Sequence, residues 1–188
     1  MLDLAGLAAW LEPGSSLAGD APPRADLFQQ GDLLTAVFAA EGVAPRQAAE
    51  YTARLDAWAG ELGALPSAPA ERAAAALAWL HERALKEYDP RASSLAGVFA
   101  EGRYNCLGST LAFVALARRL DLACWTVERP GHVLARLELE ECVIDVETTC
   151  AQGVGQQASG ASGERRLSPP ALLGLVYFNR GCDLLERR

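Results

Sequence analysis

A cysteine stands where a loop gives way to an apolar helical pattern, in the segment YNCLGST at residues 104–110. Unpaired N–H groups and the positive end of the dipole at a helix N-terminus favour the anionic form of a thiol. Cys106 is therefore a candidate nucleophile. The alternative is a small core residue, because free cysteine is among the most frequently buried residue types.

Two further reactive groups follow along the chain. His132 begins a strand pattern after a Pro-Gly turn, and Asp145 and Glu147 lie on the next strand pattern. Because the two acids are two positions apart, they point to the same face of that strand. A thiol, an imidazole and a carboxylate are what cysteine catalysis needs, since the imidazole takes the thiol proton and the carboxylate orients the imidazole.

The choice between the two carboxylates depends on strand register. Paired residues of a hairpin keep a constant sum of residue numbers, and a turn over residues 138–141 sets this sum at about 279 or 280. His132 then lies roughly opposite Glu147, which we expect to be its partner. Asp145 is the alternative, and either acid could be a simple solvent-facing charge.

The other cysteines and the second histidine are interpreted as structural. His81 stands beside an apolar helix stripe, next to charged residues, and is expected to be a solvated surface residue. We expect the remaining thiols, which lie in apolar segments or at a strand end, to be structural and mostly buried: Cys124, Cys142, Cys150 and Cys182. A metal-binding protein with Cys106, His132 and a carboxylate as ligands is a third functional class.

Composition limits the class of protein. With 188 residues, 51% of them hydrophobic and 22% charged, the chain fits one globular domain. A net charge of −7 with scattered basic residues argues against nucleic acid as a partner. No stretch reaches the roughly 18 apolar residues of a membrane span. Five cysteines without a Cys-x-x-Cys pair indicate a reducing cytoplasm and no structural zinc.

The periodicity predicts helices first and an antiparallel sheet afterwards, an α+β arrangement. A short N-terminal helix is expected first, followed by a loop at 13–25. Two helix patterns come next, 27–38 with a stop near Gly42 and 51–62 with a stop near Gly63. Three more are expected at 73–88, 106–120 and 171–186. Strands are expected at 123–128, 132–138 and 141–148 as a meander. The Gly-, Gln- and Ser-rich segment 151–164 is expected to be a flexible flap near the site.

Four segments together carry a family resemblance: YNC entering a helix, LARRL at 116–120, RPGHV at 129–133 and VETT at 146–149. They resemble a bacterial transglutaminase-like domain of the papain-like cysteine protease superfamily over residues 70–185. The resemblance implies a papain-like core at 70–188 with a helical extension, 1–70, packed on it as one domain. The chain departs from the family at Glu147-Thr148-Thr149, where an Asp-Pro-Thr-like motif is common.

The resemblance also implies an activity. Cys106 would attack an amide or thioester carbonyl of a protein or peptide substrate, His132 would shuttle the proton, and Glu147 or Asp145 would orient His132, with no cofactor or metal. The Cys106 backbone N–H and a side chain of Asn105 or Tyr104 would bind the oxyanion. The competing class is a non-catalytic protein-interaction module that keeps the fold. The sequence indicates no oligomeric state.

Overall fold

The structure is a computed structural model that describes residues 30–62, 68–158, 160 and 162–186. Its helices are α1 Gln30–Ala40, α2 Pro45–Glu61, α3 Pro69–Arg83, α4 Leu95–Glu101, α5 Cys106–Arg119 and α6 Pro169–Glu186. Its strands are β1 Glu87–Tyr88, β2 Arg103–Tyr104, β3 Cys124–Arg129, β4 His132–Glu138, β5 Val143–Val146, β6 Val154–Gln157 and β7 Arg165–Arg166. The expected N-terminal helix, the loop at 13–25, the start of the helix pattern at 27 and the stop of the 51–62 helix near Gly63 lie outside the described residues.

The larger sheet is antiparallel and has five strands in the order β6-β5-β4-β3-β7. The predicted meander of β3, β4 and β5 is confirmed, and so is the α+β class, because helices and this sheet share one core. None of the helices in the described ranges is long and apolar enough to cross a membrane.

The register of the β4–β5 pair corrects the prediction. Arg136 lies opposite Asp145, a sum of 281 instead of 279 or 280. The reason is the turn, which is closed by a hydrogen bond from Leu139 N–H to Cys142 O at 2.9 Å and so lies later than predicted. Against a sum of 279, the shift is two positions, which keeps every side chain on its face. Glu147 is thus a diagonal neighbour of His132 and not its direct cross-strand partner.

Alternation along the strands divides the sheet into two faces. One face carries Val133, Ala135 and Leu137 of β4 and packs against α5, forming the core with the other helices. This helix is buried from residue 107 to residue 117, as the all-round apolar pattern predicts. A central buried helix against a sheet gives the first turn of α5 a fixed position relative to the strand ends.

The opposite face of the sheet carries an ion-pair network. Asp145 accepts hydrogen bonds from Arg129 and, at 2.7 Å, from Arg136 Nε. Both arginines also bond to Glu164, and the Asp145 and Glu164 side chains are only 10% and 9% exposed. The hydrogen bond from Arg136 lowers the pKa of Glu164 to about 2. Four complementary charges therefore attach the segment before β7 to the sheet.

The prediction of a flexible flap at 151–164 is wrong for most of that segment. Residues 154–157 form β6, which pairs with β5 at the sheet edge, and Glu164 is bound by Arg129 and Arg136. Its composition suggested mobility because it offers few apolar side chains. An edge strand, however, is held by main-chain hydrogen bonds, and a charged residue can be anchored by ion pairs instead of by burial.

The region before α5 also differs from the prediction. The helix α3 ends at Arg83, and Tyr88 belongs to a short parallel pair of β1 with β2. The N–H groups of Lys86 and Glu87 donate to Gly102 O, which takes the chain out of the helix. The helix α4 was not predicted, although it has a Ser94 N-cap and ends at Gly102 with a φ of 74°.

Candidate active site

Cys106 is the first residue of α5, as predicted, and it is half-buried. Asn105 caps the helix, because its Oδ1 accepts from Leu107 N–H at 2.9 Å and Gly108 N–H at 3.2 Å. Its Nδ2 donates to Pro90 O at 3.0 Å. This cap was not predicted, although an asparagine before an apolar helix is a typical signal. The cap fixes the backbone that presents the thiol.

The predicted oxyanion donors have unequal surroundings. Both ends of the Asn105 side chain have partners within the fold. Tyr104 is buried, with its ring edge-on to the rings of His81 and Tyr88, and burial and the neighbouring Tyr88 and Cys150 raise its pKa. Among the described residues no group accepts a hydrogen bond from Cys106 N–H, whereas the next three N–H groups of α5 bond to Asn105. That N–H is available to a ligand.

His132 and Glu147 are in direct contact. The His132 Nε2 atom lies 2.6 Å from Glu147 Oε2, and the two side chains are 33% and 38% exposed. The second oxygen, Oε1, accepts from Thr149 N–H at 3.1 Å and from Thr149 Oγ1 at 2.6 Å. Burial raises the pKa of Glu147, but the bonds from Thr149 and His132 outweigh it, and the pKa is lowered overall. Glu147 is thus an ionised acceptor at neutral pH.

The alternative carboxylate is placed elsewhere. Asp145 lies on the ion-pair face and bonds to Arg129 and Arg136, not to His132. The structure therefore brings His132 to Glu147 and separates it from Asp145, in agreement with the predicted preference.

Three hydroxyl groups join the acid segment to the cysteine helix. Thr148 Oγ1 lies 2.9 Å from Ser109 Oγ and 2.8 Å from Thr110 Oγ1, and all three residues are fully buried. Thr110 also donates to Val133 O at 3.3 Å, beside His132. Ser109 and Thr110 of α5 are thereby connected to β4, which begins at His132, and to the segment after β5 that carries Glu147. This link was not predicted, because its only signal in the sequence is two hydroxyl residues on an otherwise apolar helix.

The thiol itself has no hydrogen bond to the imidazole. Within the described ranges neither Cys106 Sγ nor His132 Nδ1 has a hydrogen-bond partner. Catalytic hydrogen bonds are often longer before substrate binds. The same part of the chain contains no group of three His, Cys, Asp or Glu side chains arranged to hold a metal, so these residues form no ligand set.

His81 is not the solvated residue that was expected. It is half-buried, its Nε2 lies 3.0 Å from Thr148 O, and burial lowers its pKa against the opposing effect of that bond. The helix stripe alone could not reveal this contact, because the partner lies 67 positions away.

The cysteine assignments hold only in part. Cys124 is buried, and burial raises its pKa to about 12. The other three thiols are exposed, because they lie in turns or on the outer side of α6: Cys142, Cys150 and Cys182.

A groove of about 920 Å³ lies near the site but does not contain it. Its wall includes the loop from Asp89 to Ser94 and residues of α2 and α4, and none of the three catalytic candidates lines it. The same loop contacts the residue before α5, since Asn105 Nδ2 donates to Pro90 O.

No family model, curated protein or solved structure matches the chain.

Proposed function

We propose that this protein is a cysteine-dependent acyltransferase or amidase with a transglutaminase-like, papain-like core. Cys106 is the nucleophile, His132 the general base and acid, and Glu147 the residue that orients His132. The observation that carries the proposal is the 2.6 Å contact between His132 Nε2 and Glu147 Oε2, next to the helix that begins with Cys106.

The hydrogen bond determines the histidine tautomer. An ionised carboxylate only accepts, so His132 Nε2 carries a proton and donates it to Glu147. In the neutral ring Nδ1 then has a free lone pair. This nitrogen takes the proton of the Cys106 thiol, and Glu147 stabilises the imidazolium that results.

The proposed reaction has two steps. The Cys106 thiolate attacks an amide or thioester carbonyl, the His132 imidazolium returns its proton to the leaving amine or thiol, and an acyl-enzyme thioester forms. Water or an amine then attacks this thioester, His132 takes its proton, and the thiol is regenerated. The free N–H of Cys106 is positioned to bind the oxyanion of each tetrahedral intermediate, with Tyr104 as the candidate for a second donor.

We infer the class of substrate from the solvent exposure of the site, and the compartment from the free thiols of the chain. His132 and Glu147 are about one-third exposed, which suits a protein or peptide substrate that approaches from solvent. Three exposed free thiols favour a reducing compartment such as the cytoplasm.

Alkylation of the five cysteines at mildly acidic pH tests the proposal. A dilute thiol reagent such as iodoacetamide, followed by mass spectrometry of each peptide, should modify Cys106 faster than the exposed Cys142 and Cys182. Exposure alone predicts the opposite order, because Cys106 is half-buried. A His132→Ala variant should remove the preference. Equal or slower labelling of Cys106 would refute the nucleophile.

A second function is favoured by one feature of α6. Tyr177, Phe178 and Leu185 are 59%, 68% and 70% exposed, an apolar surface suited to a non-catalytic interaction module. Slow, unselective labelling of Cys106 together with no acylation would favour this class.

A further inference from the structure

His81 lies between the two segments that carry the reactive groups. Its ring stands edge-on to the ring of Tyr104, with a centroid distance of 5.8 Å and an interplanar angle of 84°. Tyr104 lies two positions before Cys106. Its Nε2 contacts the carbonyl of Thr148, the residue directly after Glu147. One side chain of α3 thus touches both the thiol segment and the acid segment.

The direction of the His81 hydrogen bond is fixed by its acceptor. A carbonyl oxygen cannot donate, so His81 Nε2 carries the proton and donates it to Thr148 O. The lowered pKa that burial causes keeps the ring neutral at neutral pH. His81 therefore acts as a hydrogen-bond donor, without adding a charge beside Glu147.

The contacted peptide controls the position of the Glu147 carboxylate. Thr148 is fixed on its other side by the hydroxyls of Ser109 and Thr110. Glu147 N–H donates to Gly153 O at 2.8 Å, and Thr149 holds the second carboxylate oxygen. The contact from His81 differs from these because His81 belongs to α3, which is part of neither the sheet nor α5.

We propose that His81 is a positioning residue, which holds the Thr148 peptide so that Glu147 stays within hydrogen-bond reach of His132. It acts through Glu147, because among the described residues its hydrogen bond goes to Thr148 O and not to the thiol. This inference rests on the proposed function for its effect on rate, but its effect on the His132 ring can be measured without any substrate.

The experiment compares three variants. His81→Leu removes the donor, His81→Gln keeps an amide N–H near the position of Nε2, and Glu82→Gln changes an exposed residue of the same helix turn as a control. The chain has two histidines, so each His81 variant leaves His132 as the single histidine signal. Nitrogen NMR of histidine-labelled protein then reports whether the Nε2–H of His132 is still hydrogen-bonded.

We expect His81→Leu to weaken the Nε2–H hydrogen-bond signature and to lower the acylation rate at saturating substrate at least about tenfold, with KM little changed. His81→Gln should restore both, and Glu82→Gln should alter neither. Thermal unfolding of all variants identifies any general loss of fold. Recovery of the signature and the rate in His81→Gln, compared with His81→Leu, then shows that the hydrogen-bond donor matters. An unchanged His132 spectrum and rate in a folded His81→Leu protein would refute the positioning role. A wild-type protein that never acylates, but whose His132 signature depends on His81, would refute the proposed function alone.

Discussion

His132, at the start of β4, and Glu147, directly after β5, meet diagonally and not as a direct cross-strand pair. The β4–β5 ladder ends at the pair of Ala135 with Val146, and Glu147 then leaves the ladder and bonds to Gly153 O through its N–H. Its carboxylate reaches back to His132 at 2.6 Å. Because the contact depends on how the chain turns after β5, residues that shape this turn should control the rate as strongly as residues near the thiol.

The first prediction separates the two carboxylates. Glu147→Gln keeps the size of the side chain but removes the charge that stabilises the His132 imidazolium, so acylation should slow by about two orders of magnitude or more. Asp145→Asn should instead lower the free energy of unfolding by about 1.5–3 kcal/mol, because two arginines lose a charged acceptor. Rates from a thioester substrate and urea unfolding curves measure the two effects. The reverse order of the rates would assign the orienting role to Asp145.

The second prediction concerns the hydroxyl link. Thr148→Val has nearly the same shape but leaves the buried hydroxyls of Ser109 and Thr110 without this partner, at a cost of about 1–3 kcal/mol in unfolding free energy. Acylation should slow as well, because Glu147 is the preceding residue.

Thr52→Val is the matched control for the hydroxyl link. Thr52 makes a local helix bond to Ala48 O, so its replacement should change stability by about 0.5 kcal/mol or less and leave the rate unchanged. Equal effects of the two substitutions, by urea unfolding and by rate, would show that the link has no special role.

The third prediction uses a glycine beside Glu147. A Cβ at Gly153 would lie 1.9 Å from Glu147 O and 3.0 Å from Glu147 Cβ, so Gly153→Ala must displace the acid segment. We expect a loss of about 1–3 kcal/mol in stability and a fall in rate. Gly181→Ala is the control, since nothing lies within 4 Å of its Cβ and alanine favours the helix by up to about 1 kcal/mol. Full activity in Gly153→Ala would show that the Glu147 position tolerates displacement.

Local signals in the sequence were sufficient for much of this arrangement. The start of α5 at Cys106, the burial of that helix and the meander of three strands follow from periodicity and turn residues, which act over a few positions. The contact between His132 and Glu147 forms despite the error in register, because a shift of two positions keeps the Glu147 side chain on the same face as that of His132.

Long-range contacts were beyond such reasoning. The bond from His81 to Thr148 spans 67 positions, and the link from Thr148 to Ser109 spans 39. Neither leaves a periodic pattern in the sequence. Glu164 was assigned to a flexible flap for the same reason, since its partners Arg129 and Arg136 lie on other strands.

The last prediction concerns the pH dependence that Glu164 gives to stability. Its pKa is lowered from an ordinary value of 4.5 to about 2, first by the hydrogen bond from Arg136. Below pH 4.5 the unfolded chain binds a proton that the native carboxylate still excludes, so the stabilisation is complete above that pH and is lost as the pH falls toward 2. The slope from this one group is at most about 1.4 kcal/mol per pH unit. The difference in unfolding free energy between the wild type and Glu164→Gln should therefore be largest above pH 4.5 and shrink at lower pH.

Glu128→Gln is the control for this prediction. It removes an ion pair with Arg165 at the sheet edge, and because the Arg165 side chain is 67% exposed, the substitution should cost less stability at neutral pH. Urea unfolding at a series of pH values measures both differences, and a Glu164→Gln difference that stays constant from pH 6 to pH 2 would show that the network does not hold this carboxylate ionised.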